Sequence, residues 1–181
     1  MKYIGPDFCN VTTLLTDEEL LIQKTANEFV TKEFMPLVNE YYEKGSFPVD
    51  LIPKMGELGF FGATLPKKYG GSEISSTAYG LIMQELEKGD SGLRSVCSVQ
   101  GGLVMYPIFE YGTKEQKEKW LPKLASGEAV GCFGLTESNH GSDPGGMTTK
   151  AVREGDDWII NGSKMWITNG TIADIAVVWA K

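Results

Sequence analysis

The hydrophobic period changes once along this chain, at Gly127, and that change constrains the fold more than any other feature. Upstream, apolar residues recur at helical intervals; downstream, they come in short runs between turn residues, as in strands. Thr16-Asp17-Glu18-Glu19 opens the upstream part as a capping box, the Thr16 hydroxyl placed to accept the Glu19 N–H. Leu21, Phe29, Val30, Phe34, Leu37, Val38 and Tyr41 keep helical spacing across Pro36, which removes one backbone bond and predicts a kink, not an end. Gly45-Ser46-Phe47-Pro48 stops that helix, and Val49 to Leu58 predicts a short second one. The Gly- and Pro-rich stretch 59–72 predicts a long irregular connection. Further helices are predicted over 75–88, 92–98, 101–111 and 113–125, with Gly89, Gly112 and Gly127 at the stops.

Downstream of Gly127, an apolar run from Ala129 to Thr136 ends in a polar loop, Ser138 to Gly146. Glu154-Gly155-Asp156-Asp157 predicts a hairpin between 148–153 and 158–160. Asn161-Gly162 predicts a second hairpin, pairing 158–160 with 164–168. One more strand is expected over 175–179. The expected architecture is α+β: an amino-terminal all-helical domain over 1–127, then an incomplete antiparallel β-domain beginning at 128 and running to 181.

Hydrophobic residues make up 41 % and charged residues 23 %, an ordinary globular balance. The net charge is −7, and the one dense basic stretch, Lys114 to Lys123, is interleaved with Glu115 and Glu118. That pattern is a solvated helix face and argues against a nucleic-acid surface. Any anionic ligand must therefore be held by local groups such as backbone N–H, Ser or a single Arg. Cys9, Cys97 and Cys132 are odd in number and form no CxxC pair, which points to a reducing compartment and away from a metal site. Residues 1–7 show no presequence pattern and no apolar run reaches spanning length, so the expected location is cytoplasmic.

Three groups of residues suit chemistry. The loop from Phe133 through Gly134, Leu135, Thr136, Glu137, Ser138, Asn139, His140 and Gly141 to Ser142 offers backbone N–H groups and small hydroxyls, a surface for the polar edge of a planar ligand or for phosphate. On an alternating strand, Lys164, Trp166 and Thr168 would share a face, so an indole could cover an aromatic ring while a hydroxyl bonds one of its heteroatoms. A core Trp beside a surface Thr would give the same pattern. Arg94 and Ser98, four apart on a predicted helix, could hold a carboxylate, although an exposed Arg needs no such role. No GxGxxG follows a strand and no Walker sequence occurs, which disfavours a Rossmann or P-loop site.

These pieces in this order resemble the acyl-CoA dehydrogenase family. The resemblance rests on Cys132-Phe133-Gly134-Leu135-Thr136-Glu137, Gly141-Ser142-Asp143, and Asn161-Gly162-Ser163-Lys164-Met165-Trp166-Ile167-Thr168-Asn169. Upstream it rests on Gly59-Phe60-Phe61-Gly62, Tyr69-Gly70-Gly71, the run Tyr111 to Lys117, and Trp120-Leu121-Pro122. Ser91 to Gln100 and Val178-Trp179-Ala180 look like the glutaryl-CoA dehydrogenases, with Gly101-Gly102 departing from the serines expected there.

The resemblance implies FAD as cofactor, with Phe133 to Ser142 as the FAD-binding stretch and Thr136 on the pyrimidine edge. It implies that Trp166, Ile167 and Thr168 lie against the flavin ring, Thr168 near N5. Ser142 would contact the CoA part of the substrate, and Arg94, Ser95 and Ser98 the distal carboxylate of a glutaryl chain. The implied reaction is α,β-dehydrogenation of an acyl-CoA thioester, followed by decarboxylation to a crotonyl thioester. The family's base is a Glu in a carboxy-terminal helical domain beyond Lys181, so no catalytic residue is nominated and this chain alone is expected to be inactive. The resemblance also implies an electron-transfer flavoprotein as acceptor and a homotetramer when complete. The competing expectation is a non-catalytic binding or assembly module derived from the same family.

Overall fold

The computed structural model describes residues 8–181; residues 1–7, read above for a presequence, lie outside the described residues. In chain order the helices are α1 (Asp17–Phe29), α2 (Val38–Lys44), α3 (Leu51–Glu57), α4 (Ser76–Gly89), α5 (Ser91–Ser98), α6 (Tyr106–Tyr111) and α7 (Lys114–Ser126). The strands are β1 (Gly131–Gly134), β2 (Lys150–Glu154), β3 (Asp157–Asn161) and β4 (Ile175–Val178). Two compact units result. One comprises residues up to Leu51 together with Ile74–Arg94, the other Ile52–Glu73 and Ser95–Lys181. Among the described residues, no helix is long and apolar enough to cross a membrane.

In the first unit, the capping box forms as the sequence predicts: the Glu19 N–H donates to Thr16 Oγ1, and the Thr16 N–H donates to the Glu19 carboxylate. Ahead of Pro36 the helix widens into a π turn over Val30–Phe34, where Met35 N donates to Val30 O. Met35 and Leu37 keep right-handed helical dihedrals, and a turn over residues 35–37 separates the π turn from α2. Phe29, Val30 and Phe34 are buried while Leu21 is 63 % exposed, so Leu21 does not share their environment. Glu85 on α4 is also buried, and it accepts from Gln23 Nε2 and Asn27 Nδ2 at 2.9 Å each and from Lys88 Nζ at 2.6 Å. A buried carboxylate is tolerated only when supplied with donors in this way.

The second unit buries Met55, Phe60, Phe61, Val104, Met105, Leu121 and Leu124. α5 passes into a π turn over Val99–Met105, which carries both Gly101 and Gly102. Gly101 is needed there, because a Cβ would stand 2.5 Å from the carbonyl oxygen of Phe61; a Cβ on Gly102 would meet nothing within 4 Å. From the same turn the buried Gln100 donates to Leu124 O and Ala129 O and accepts from Gly131 N, at 2.8–2.9 Å. One side chain thus ties the end of α7 to the first residue of β1.

The helices-then-strands class predicted from the period change is present, and the β2–β3 hairpin forms across Gly155-Asp156 with antiparallel pairing. Two expectations are corrected. β1 pairs with β4 in parallel, Gly131 opposite Ile175 through Gly134 opposite Val178. The long excursion over 135–174 brings the chain back in its original direction, which a tight hairpin cannot do. The second hairpin, at Asn161-Gly162, does not form, and no strand covers 164–168. Gly162 instead meets a packing demand, since a Cβ there would lie 2.2 Å from Thr149 Oγ1. Trp166 (φ 59°) and Asn169 (φ 66°) adopt left-handed conformations that break any alternation.

Candidate functional site in the loops after β1 and β3

β1 delivers the chain into the loop at Leu135, and the segment 164–168 runs beside it. Met165 N donates to Thr136 O at 2.9 Å, and Lys164 Nζ donates to Leu135 O at 3.0 Å. Two groups nominated separately from the sequence, Phe133–Ser142 and Trp166–Thr168, are therefore neighbours. The route is not the one the alternation suggested. Trp166 and Thr168 do not share the face of a strand, because no strand exists there.

Trp166 is 86 % exposed, Thr168 is exposed and Thr136 is half-buried. Among the described residues none of these three side chains is hydrogen-bonded to the protein, so an indole face and two hydroxyls remain available. A large planar group with heteroatoms on its edge suits that set. Ser138, Asn139, Gly141 and Ser142 are exposed along the loop, and His140 is half-buried, its backbone exchanging hydrogen bonds with that of Glu137. Phe133 packs edge-on against Trp179, with centroids 6.1 Å apart.

Glu137 differs from its neighbours. Its side chain is buried and accepts from Thr148 N, Thr148 Oγ1, Thr149 N, Thr149 Oγ1 and Lys164 Nζ at 2.6–3.0 Å. The Lys164 ammonium, then the Thr149 hydroxyl and the Thr148 N–H, hold its carboxyl far below the usual carboxylate range. Thr148 and Thr149 were not singled out from the sequence; their role depends on a contact eleven or twelve residues away in the chain. Asn169 was missed for the same reason. It is buried, donates through Nδ2 to Gly131 O, and leaves Oδ1 without a partner.

Arg94 and Ser98 both lie on α5, and the boundary between the two units falls between Arg94 and Ser95. Arg94 Nε donates to Glu87 Oε2 at 2.8 Å. The Ser91 hydroxyl, and after it the Arg94 guanidinium, hold Glu87 below the usual carboxylate range. Ser98 Oγ donates to Ser95 O at 3.2 Å. An apolar cleft of about 490 Å³ lies elsewhere in the second unit, lined by Pro107, Ile108, Tyr111, Trp120, Val178 and Trp179 among others. None of the nominated site residues borders it.

Comparison with known proteins places these features in a family. Residues 16–128 match the acyl-CoA dehydrogenase N-terminal domain and residues 132–181 the acyl-CoA dehydrogenase middle domain. A glutaryl-CoA dehydrogenase from Mycobacterium smegmatis is 51 % identical with a TM-score of 0.93, over 97 % of this chain and 45 % of that one. A second structure of a glutaryl-CoA dehydrogenase from that organism, in complex with FADH2, is 48 % identical with a TM-score of 0.94, over the same shares. A Bacillus subtilis protein named as a probable acyl-CoA dehydrogenase is 42 % identical over 92 % of this chain and 44 % of its own length. The human mitochondrial short-chain specific acyl-CoA dehydrogenase is 37 % identical over 92 % of this chain and 40 % of its own. The chain thus spans less than half the length of these relatives, and it belongs to the acyl-CoA dehydrogenase family.

Proposed function

We propose that this chain supplies the flavin and thioester contacts of an FAD-dependent dehydrogenase acting on glutaryl-CoA, with decarboxylation of the product to crotonyl-CoA. The observation that carries the reading is Arg94: a guanidinium held by Glu87 on the segment Ser91–Gln100, which resembles the glutaryl enzymes. A straight-chain acyl group has no charge for it to meet. The 51 % identity to the Mycobacterium smegmatis glutaryl-CoA dehydrogenase supports the same choice.

FAD, when bound, would supply the acceptor for the hydride lost from the β-carbon. The Trp166 indole and Ile167 would cover its ring, the Thr168 hydroxyl would donate toward N5, and Thr136 would meet the pyrimidine edge. Phe133–Ser142 would line the cofactor's polar side, and Ser142 would also meet the CoA moiety. Arg94, with Ser95 and Ser98 farther along α5, holds the distal carboxylate by charge-assisted bonds. The base that takes the α-proton is a carboxylate contributed from outside the 181 residues. Electrons pass onward to an electron-transfer flavoprotein, the complete enzyme is a homotetramer, and its location is cytoplasmic.

The test joins this chain to the carboxy-terminal half of the Mycobacterium smegmatis relative and follows dye reduction and CO2 release with glutaryl-CoA. The completed enzyme should do both and the 181-residue chain alone neither. Dye reduction by the chain alone would overturn the assignment of the base. A completed protein that holds FAD yet oxidises only butyryl-CoA would overturn the substrate, and one that binds no FAD would favour a non-catalytic module.

A further inference from the structure

Glu137 lies next to Thr136, and Lys164 lies two residues before Trp166. Both are inward-facing, with side-chain exposures of 4 % and 12 %. An ionised carboxylate has roughly four lone-pair sites, and the Glu137 carboxylate receives five donors from the chain itself. No acceptor capacity is left for a ligand, so its work is internal. Lys164 spends one proton on Glu137 and another on Leu135 O. Residues 164–168 belong to no strand, so no ladder of sheet bonds fixes them. The direct ties from Lys164–Met165 to the 135–137 loop are these two ammonium bonds and the Met165 N to Thr136 O bond.

We propose that the Glu137–Lys164 ion pair is a latch holding Thr136 and Trp166–Thr168 at one fixed separation, which makes both members positioning residues for the flavin. The inference rests on the flavin reading above. Its physical basis is the asymmetry of buried charge pairs: an intact pair adds little net stability, while loss of one partner leaves a buried charge uncompensated and drives rearrangement. Rearrangement here moves the two ligand-facing segments relative to each other. A buried pair that selects one geometry is a known use of such groups.

Two readouts test it, with Lys164→Met and the near-isosteric Glu137→Gln, so that a folding failure in one leaves the other. In the 181-residue chain, amide exchange at Thr148, Thr149 and Met165 should accelerate about tenfold or more in each variant, a change on the scale of one broken contact. Exchange at Gly131 N–H, held by Gln100, should stay unchanged. In the completed enzyme, each variant should raise the Kd for FAD by about tenfold or more and alter the flavin absorbance envelope. The double variant, with no unpaired charge, should lose less than the product of the two single losses.

Unchanged exchange at the three amides overturns the latch. Accelerated exchange with an unchanged Kd for FAD overturns the positioning role, as does strict additivity in the double variant. A wild-type completed enzyme that binds no FAD overturns the flavin reading, and the positioning role falls with it; normal FAD binding in wild type with an unchanged Kd in the variants overturns the positioning role and leaves the flavin reading standing.

Discussion

The guanidinium of Arg94 is tied to the carboxylate of Glu87, Nε to Oε2 at 2.8 Å, across the short gap between α4 and α5. The pair limits how far the Arg94 head can swing, so a bound carboxylate would meet a partly pre-organised cation. In the completed enzyme Arg94→Ala should weaken kcat/KM for glutaryl-CoA by about 1.5–3 kcal/mol, the range for a hydrogen bond to a charged group, and leave butyryl-CoA almost unaffected. Steady-state kinetics on the two thioesters decides this, and equal losses on both would assign Arg94 to structure.

Gln100 makes three buried hydrogen bonds, to Leu124 O, Ala129 O and Gly131 N. Gln100→Leu keeps most of the volume and strands the Ala129 carbonyl and the Gly131 N–H, each costing about 1–3 kcal/mol when left unsatisfied, while Leu124 O keeps the Gly127 N–H at 3.3 Å. Urea denaturation should show a loss of about 2 kcal/mol or more. A loss below about 1 kcal/mol would mean that water replaces the amide.

The pH dependence of stability should carry a signature of Glu137. Its folded carboxyl lies below the unfolded value of about 4.3, held there first by Lys164. Its contribution is therefore fully present above that unfolded value and disappears as pH falls through the folded one. Glu137→Gln should destabilise the chain at pH 7, and the gap to wild type should narrow only in strong acid. Denaturation midpoints at about pH 7, 5 and 3 check this; a gap already closed at pH 5 would contradict it.

Gly101 and Gly102 should respond oppositely to alanine. A Cβ on Gly101 strikes the Phe61 carbonyl, so Gly101→Ala should lower the melting temperature. At Gly102, where a Cβ has open space, the gain in helix propensity should raise stability by up to about 1 kcal/mol. Thermal melts of the two variants test the contrast, and a stabilising Gly101→Ala would show that the Phe61 segment yields.

The sequence by itself determined what short-range rules govern. The Thr16 and Glu19 capping box, the interruption at Pro36, the helix end at Gly127 and the hairpin at Gly155-Asp156 depend on residues within a few positions of one another, where dihedral preferences and local hydrogen bonds decide. The nomination of the candidate site was legible by resemblance, since Phe133–Ser142 and Trp166–Thr168 carry recognisable runs. Its geometry was not. Asn161-Gly162 carries a strong local hairpin signal, yet Thr149 needs the space beside Gly162 and Asn169 turns inward to Gly131, so the following residues leave the sheet. The direction of β4 against β1 was equally hidden, because strand pairing across 135–174 is set by how the intervening chain packs and not by the residues paired. Glu137 shows the same division within one side chain: its place in a motif was visible, while its burial among Thr148, Thr149 and Lys164 came only from folding, which gathers donors from distant positions around a charge that water no longer reaches.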